Sequence, residues 1–308
     1  MVRRNDGRSW GSTDRPGERV SVAKPHRDIE ILSVQGSHRH WCEAHDGFTV
    51  ALIHREQGEL VAEWRTRCRS LSTERGGLML IEPGDVHVTK RVRARVGAAD
   101  FDVVRFSPSL VAEAARELGY RGDFHFRTPS AQDPLVFEAL DRFVAAVASG
   151  DSALAIASAS SEALTALITR LGEKPSPHGV SLAAERDYRL RRVNDYLACH
   201  LERRPTLTEL ERVSGLSQWR LCARFSQSYG TSIGKCWNAL RLRQAQRELE
   251  RGRSLSMIVA ELGYRDEAYL CRVFKAHYGI TPGVWRAMYR SNDRSGRRGQ
   301  RAATPPPQ

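Results

Sequence analysis

No two of the six cysteines, Cys42, Cys68, Cys199, Cys222, Cys236 and Cys271, stand in a CxxC pair or at zinc-finger spacing. The motifs built on those spacings are therefore excluded, and the thiols read as structural ones in a reducing cytoplasm. No apolar run approaches the length of a bilayer span, so no membrane-crossing helix is predicted. The chain has no phosphate-cradling glycine loop, no nucleophile with a neighbouring base and no acidic pair at a fixed spacing. No catalytic residue is assigned for that reason. Its first 20 residues are polar and lack the apolar core of a secretion signal, so disorder is expected there.

The 308 residues are 41% hydrophobic and 27% charged, which predicts a soluble protein of about two domains with real cores. Acidic charge runs short in only one part of the chain. Residues 1–178 hold 24 Lys and Arg against 24 Asp and Glu, residues 179–290 hold 20 against 11, and residues 291–308 hold 4 against 1. All of the net +12 thus lies in the C-terminal part, as expected of a phosphate-binding domain.

That part contains an internal repeat. Thr206 to Ser232, TLTELERVSGLSQWRLCARFSQSYGTS, matches Ser254 to Pro282 at an offset of 48 before the turn and 49 after it. Leu207, Leu210 and Gly215 answer to Leu255, Ile258 and Gly263; Leu221, Phe225, Tyr229 and Gly230 answer to Leu270, Phe274, Tyr278 and Gly279. Each copy reads as a helix, a glycine turn and a second helix. Thr206 with Glu209 has the spacing of a capping box, Ser254 and Asp266 are N-cap residues, and Gly263 accepts the left-handed backbone of a tight turn. Between the copies, about residues 233–251 form a helix near 28 Å long, enough to seat the two units in successive major-groove segments. Glu211 stands where this packing wants a small side chain, so it must turn outward or find a partner.

GYRDEAYLCRVFKAHYGITPGVWR resembles the signature of the AraC/XylS family of bacterial transcription regulators. The resemblance implies that the second helix of each unit reads DNA. Its outward residues are Trp219, Arg220, Cys222 and Ala223 in the first copy and Ala268, Tyr269, Arg272 and Lys275 in the second. Arg220 and Arg272 have the fork that matches guanine, and Trp219, Ala223 and Ala268 suit thymine methyl groups.

From Ile29 to Phe106 the chain reads as short strands, IEILSVQ, FTVALIH, ELVAEW, GLMLIEP and DFDVVRF, parted by turns such as Pro83-Gly84-Asp85. This predicts a small barrel or double-sheet jelly roll. The turn IEPGDVH resembles that of the cupin-like sensor domains preceding many AraC-type DNA-binding domains. Two helices follow, over about 133–150 and 151–172, with Leu135, Leu140, Phe143 and Val147 as an apolar stripe.

His38, His40, His45 and the later His87 are the kind of cluster a metal-binding cupin supplies, with Glu43 nearby, but the glutamate spacing of enzymatic cupins is not cleanly met. Sensor domains of the family lack the metal, so no metal and no cofactor are assigned. Arg39, His40, Trp64, Arg65 and Arg91 are within reach of the barrel cavity in sequence, and none is assigned to a ligand.

The expected architecture is α+β: residues 1–27 disordered, 28–172 a cupin-like β-barrel with a helical hairpin, 173–182 a linker, 183–290 an all-α domain with two helix-turn-helix units, and 291–308 a disordered basic tail. The expected function is a cytoplasmic, sequence-specific regulator that binds double-stranded promoter DNA. A small-molecule effector in the first domain, RNA polymerase and a second copy are its further partners. Two alternatives stay open, a metal-dependent cupin enzyme tethered to DNA and a regulator whose first domain binds only proteins.

Overall fold

The computed structural model describes residues 11–12, 17–37, 39–54, 60–66, 69–74, 76–94, 99–173 and 188–289. The chain is α+β, with an N-terminal β-sheet domain and a C-terminal helical domain. Two antiparallel sheets form the first domain. One holds β1 (Gly11–Ser12), β2 (Arg19–His26), β3 (Ile29–Ser37), β5 (Phe48–Ile53), β8 (Leu78–Ile81), β10 (Ala99–Phe106) and β11 (Ser130–Ala131) in the order β1-β2-β3-β10-β5-β8-β11. The other has the order β4-β9-β6-β7, with β4 Cys42–Ala44, β6 Leu60–Thr66, β7 Arg69–Glu74 and β9 Val86–Ala94.

Both faces of the first sheet are covered, so β8 reads as an unbroken apolar run and β5 is interrupted only by Thr49, whereas β10 also carries Asp100, Asp102 and Arg105. Ala51, Ile53, Met79, Ile81 and Val103 face the interior between the sheets. Val50, Leu52, Leu78, Leu80 and Val104 face the opposite way, onto α1 (Pro108–Glu117), α2 (Pro134–Ser149) and α3 (Ala153–Leu171). The helical hairpin begins as its sequence dictates, with the Asp133 carboxylate accepting from Val136 N at 3.2 Å and Gly150 ending α2 in the left-handed region at φ 69°.

Two expectations need correction. Residues 19–26, placed in a disordered lead, form a full strand paired with β3, because Val20 and Val22 alternate into the core against Val34 and Leu32. Leu135 is not in the apolar stripe of α2: it is 58% exposed, and Val136 and Phe137 are buried instead. The expected linker at 173–182 falls almost wholly outside the described residues, as do the tail at 291–308 and the first turn expected at 183.

The second domain consists of α4 (Tyr188–Cys199), α5 (Leu207–Ser214), α6 (Gln218–Tyr229), α7 (Ile233–Glu250), α8 (Leu255–Leu262), α9 (Glu267–Tyr278) and α10 (282–289). The repeat is structural. α5 and α8 have 8 residues each, α6 and α9 have 12 each, and the extra residue of the second copy lies in its turn. Thr206 and Glu209 make the reciprocal capping box. Gly263 has φ 65°, and a Cβ built there would lie 1.7 Å from Glu202 O, so this turn excludes every side chain twice over. No described helix is long and apolar enough to cross a membrane.

Candidate nucleic-acid interface

In each unit the second helix buries one face and leaves the other free. Leu221, Phe225 and Tyr229 of α6 are buried, as are their counterparts Leu270, Phe274 and Tyr278 of α9. The opposite faces present Trp219 (79% exposed), Arg220, Cys222 and Ala223 on α6, and Ala268, Tyr269 (38% exposed) and Arg272 on α9. Lys275 is half-buried, toward the flank of its helix. Tyr269 has the guanidinium groups of Arg265 and Arg272 within 5.9 and 5.8 Å of its ring, which leaves both cations at the surface beside an aromatic plane. The Asp266 carboxylate accepts from Tyr269 N at 2.6 Å, and its hydrogen bond from Arg265 holds its pKa below the usual range, so α9 starts with an ionised cap. Glu211 is resolved by a partner, accepting from Gln218 Nε2 at 3.2 Å.

The central helix α7 behaves differently from its sequence. It spans 18 residues, about 27 Å at 1.5 Å per residue, and two of its arginines are buried rather than turned to solvent. Arg241 lies between the rings of Trp237 and Tyr264, at 4.3 and 3.9 Å, and donates twice to Leu262 O, thereby tying α7 to the end of α8. Arg243 crosses to the β-domain. It bonds Asp46 at 2.7 and 3.0 Å and Glu30 at 3.5 Å, while Arg247 reaches Asp46 at 3.0 Å. Glu30 also accepts from Arg105 and from the Tyr289 hydroxyl. Burial opposes its ionisation, but the two guanidiniums and the hydroxyl outweigh burial and hold its pKa at about 2.

Two further arginines of the β-domain grip the second helix of each unit at equivalent places. Arg65 donates to Gln227 O at the end of α6, and Arg39 donates to Ala276 O at the end of α9, each at 2.9 Å. Residues 227 and 276 are repeat partners at the offset of 49. Both cations sit where the last carbonyls of a helix concentrate partial negative charge. Gly230, with φ 69°, lies so close that a Cβ there would come within 2.9 Å of the Arg65 side chain.

Between the sheets is a cavity with about 670 Å³ of empty space, counted with the solvent at its mouth. Its wall is largely apolar, with Leu32, Ile53, Met79, Ile81, Phe101 and Val103, and its polar groups include Arg39, Glu43, His45, Thr49 and His87. Trp41 also lines it, makes an edge contact with His277 of α9 at 5.8 Å, and has a buried indole N–H without a partner.

Of the described residues that sequence placed near the cavity, Arg39 lines it. His40 is exposed, Trp64 is buried and donates to Thr73 Oγ1, and Arg65 turns to α6. The side chain of Arg91 is outside the described residues. The histidine cluster also resolves differently: His38 is not described, His40 stands apart, and His45 and His87 meet at 2.6 Å beside Glu43. Burial pushes His45 well below the ordinary imidazole value and His87 down to about 4, so both rings are neutral at pH 7.

Comparison with known proteins bears on the helical domain. The family model described as "Helix-turn-helix domain" matches residues 210–288. An uncharacterized HTH-type transcriptional regulator of Haemophilus influenzae is 31% identical over 81 residues, 26% of this chain and 27% of that protein. The match thus spans about a quarter of the relative's length. Among solved structures, unsaturated fatty acid bound ToxT of Vibrio cholerae superposes with a TM-score of 0.46 at 11% identity, over 89% of this chain and 96% of that one. A Chromobacterium violaceum transcriptional regulator with an AraC-type DNA-binding domain superposes with a TM-score of 0.33 at 23% identity, over 34% of this chain and 96% of that one. Residues 210–288 are a helix-turn-helix domain.

Proposed function

We propose that this chain is a sequence-specific transcription regulator in which residues 183–290 bind promoter DNA and residues 28–172 receive a small-molecule effector. The observation that carries the reading is the duplicated unit with a free second helix in each copy. Trp219, Arg220, Cys222 and Ala223 from one, and Ala268, Tyr269, Arg272 and Lys275 from the other, supply the base contacts. The net +9 of the helical domain supplies the salt-sensitive attraction to phosphates. It works in the bacterial cytoplasm, on the nucleoid when bound to DNA, and it performs no catalytic step. RNA polymerase and a second copy of the chain are its protein partners.

Arg39 supports a route from effector to DNA. It lines the cavity, pairs with Glu18 at 2.7 Å and holds Ala276 O of α9, so a ligand that moves its guanidinium changes the hold on the second reading helix. The energy available is the ligand's difference in affinity for the held and released arrangements.

Arg272→Ala tests the reading directly. In a gel-shift series over single-base operator variants, it is expected to weaken binding by about 1–3 kcal/mol and to relax preference at one base pair. Unchanged affinity and base preference would reject Arg272 as a reading residue.

A further inference from the structure

We propose that the barrel binds a divalent first-row transition metal through Glu43, His45 and His87, against the sequence expectation of a metal-free domain. The three side chains are buried, and one potential ligand atom from each lies within 4.8 Å of the others. The sheet register explains the grouping: Glu43 of β4 pairs directly with His87 of β9, and His45 lies two residues after Glu43, on the same face by the period of a strand. Two imidazoles and a carboxylate from adjoining strands are a borderline nitrogen and oxygen set that suits Zn²⁺, Fe²⁺ or Ni²⁺. All three residues line the cavity, so the remaining coordination positions open into its space.

The tautomer of His45 is already that of a ligand. Thr49 Oγ1 has one hydrogen and donates it to Gly47 O at 3.1 Å, so at 3.1 Å from His45 Nδ1 it accepts. His45 Nδ1 therefore carries the proton, and Nε2 presents its lone pair to the site. In the metal-free arrangement that lone pair takes the His87 Nδ1 proton at 2.6 Å, a contact the metal replaces while the His87 proton moves to Nε2. Thr49 and Gly47 form the outer support that oriented metal-binding histidines have.

Arg105 is the obvious competitor, since it donates to Glu43 Oε1 at 3.0 Å. That bond uses one carboxylate oxygen and leaves Oε2 for a metal. Around the site Arg105, Arg243 and Arg247 face Glu30, Glu43 and Asp46, so this group is balanced before a cation binds and the metal's charge is met at its ligand Glu43. Arg247 meets Asp46 at the half-exposed edge of the group. The inference concerns the barrel alone and stands whether or not the helical domain reads DNA.

The experiment is titration of full-length, chelator-stripped protein with Co²⁺ alone, followed by visible absorption, and with Zn²⁺ alone by calorimetry. One equivalent is expected, with the d–d bands of a four- or five-coordinate site. His87→Gln and Glu43→Gln each weaken binding at least tenfold. Thr49→Val, which touches no metal, weakens it about tenfold through the lost support of His45. His40→Gln binds as the wild type does. Far-UV circular dichroism checks that each variant is folded. If the ligand variants unfold, the wild type still decides, because binding at this site must raise its thermal midpoint as Zn²⁺ is added. Absence of cobalt bands and of a midpoint rise, or one equivalent retained in folded His87→Gln, overturns the proposal.

Discussion

Arg243→Met removes the side chain that spans the two domains most completely while keeping most of its volume. Two strong hydrogen bonds to Asp46 and the weaker contact to Glu30 disappear together. Removing one partner of a buried ion pair costs about 3–5 kcal/mol, because the remaining charge is stranded in a poorly solvated place. Here the loss belongs at the lower end, about 3 kcal/mol by that scale. Glu30 keeps Arg105 and the Tyr289 hydroxyl, and Asp46 keeps Arg247 and some access to water.

The assay is urea unfolding of the full chain, followed by tryptophan fluorescence and circular dichroism. Both domains carry reporters, Trp41 and Trp64 in one and Trp219, Trp237 and Trp285 in the other. A two-domain chain unfolds in one step only while the interface couples its halves, so Arg243→Met should split the transition as well as lower it. Glu30→Gln separates an ion-pair effect from lost packing. In the Arg243→Met background its cost should fall by about 1–2 kcal/mol, the coupling expected of residues in one network. Arg212→Met, on the exposed face of α5, should stay within about 0.5 kcal/mol of wild type. Additivity of the two substitutions within about 0.5 kcal/mol would refute the reasoning.

Gly263→Ala should unfold or severely destabilise the helical domain, whereas Gly252→Ala should cost only about 1 kcal/mol in a thermal melt. Both glycines have positive φ, 65° and 83°, but only Gly263 faces a backbone oxygen; around Gly252 nothing lies within 4 Å of the added carbon. Similar losses at the two positions would mean that the approach of Glu202 O does not matter. Glu250 provides a test in pH. Burial, then the charge of Glu30, raise its pKa to about 7, above the ordinary 4.5. Between those values the folded chain holds a proton that the unfolded chain has released, so this group's contribution to stability falls as pH rises through the window. Glu250→Gln should therefore melt higher than wild type at pH 8 and like it at pH 5, and an equal difference at both pH values would exclude the raised pKa.

Much of the helical domain was legible because its determinants are close in sequence. A capping box needs Thr206 and Glu209 three apart, a left-handed cap needs Gly263 alone, and a buried face needs Leu270, Phe274 and Tyr278 at helical spacing. The extra residue in the second turn shows directly as the change of offset. The barrel was legible as a set of strands, yet residues 19–26 were not, since a polar lead with alternating valines becomes a strand only through its pairing with residues 29–37. The arginines of α7 were the least legible. On a basic helix they read as solvated or phosphate-facing, and their actual partners, Glu30 and Asp46, lie about 200 residues away. The better metal signal is not the His-x-His pattern at 38 and 40 but Glu43-x-His45 with His87 across the antiparallel pairing of β4 and β9.

The contacts that join the two domains also fall in a pattern. Were the β-domain only a neighbour, its contacts would fall on whichever parts of the helical domain happened to face it. Instead Arg65 and Arg39 end on repeat-equivalent carbonyls, Gln227 O and Ala276 O, and Arg243 and Arg247 fasten the helix between the two units. All four grips act on elements whose separation sets, under the proposed function, whether the two units match successive grooves, and one of them, Arg39, also borders the cavity. Occupancy of the cavity therefore has a short physical path to the spacing of the two units. A change at Arg39 should act first on the second unit, because the hold on the first passes through Arg65, which lies outside the cavity wall.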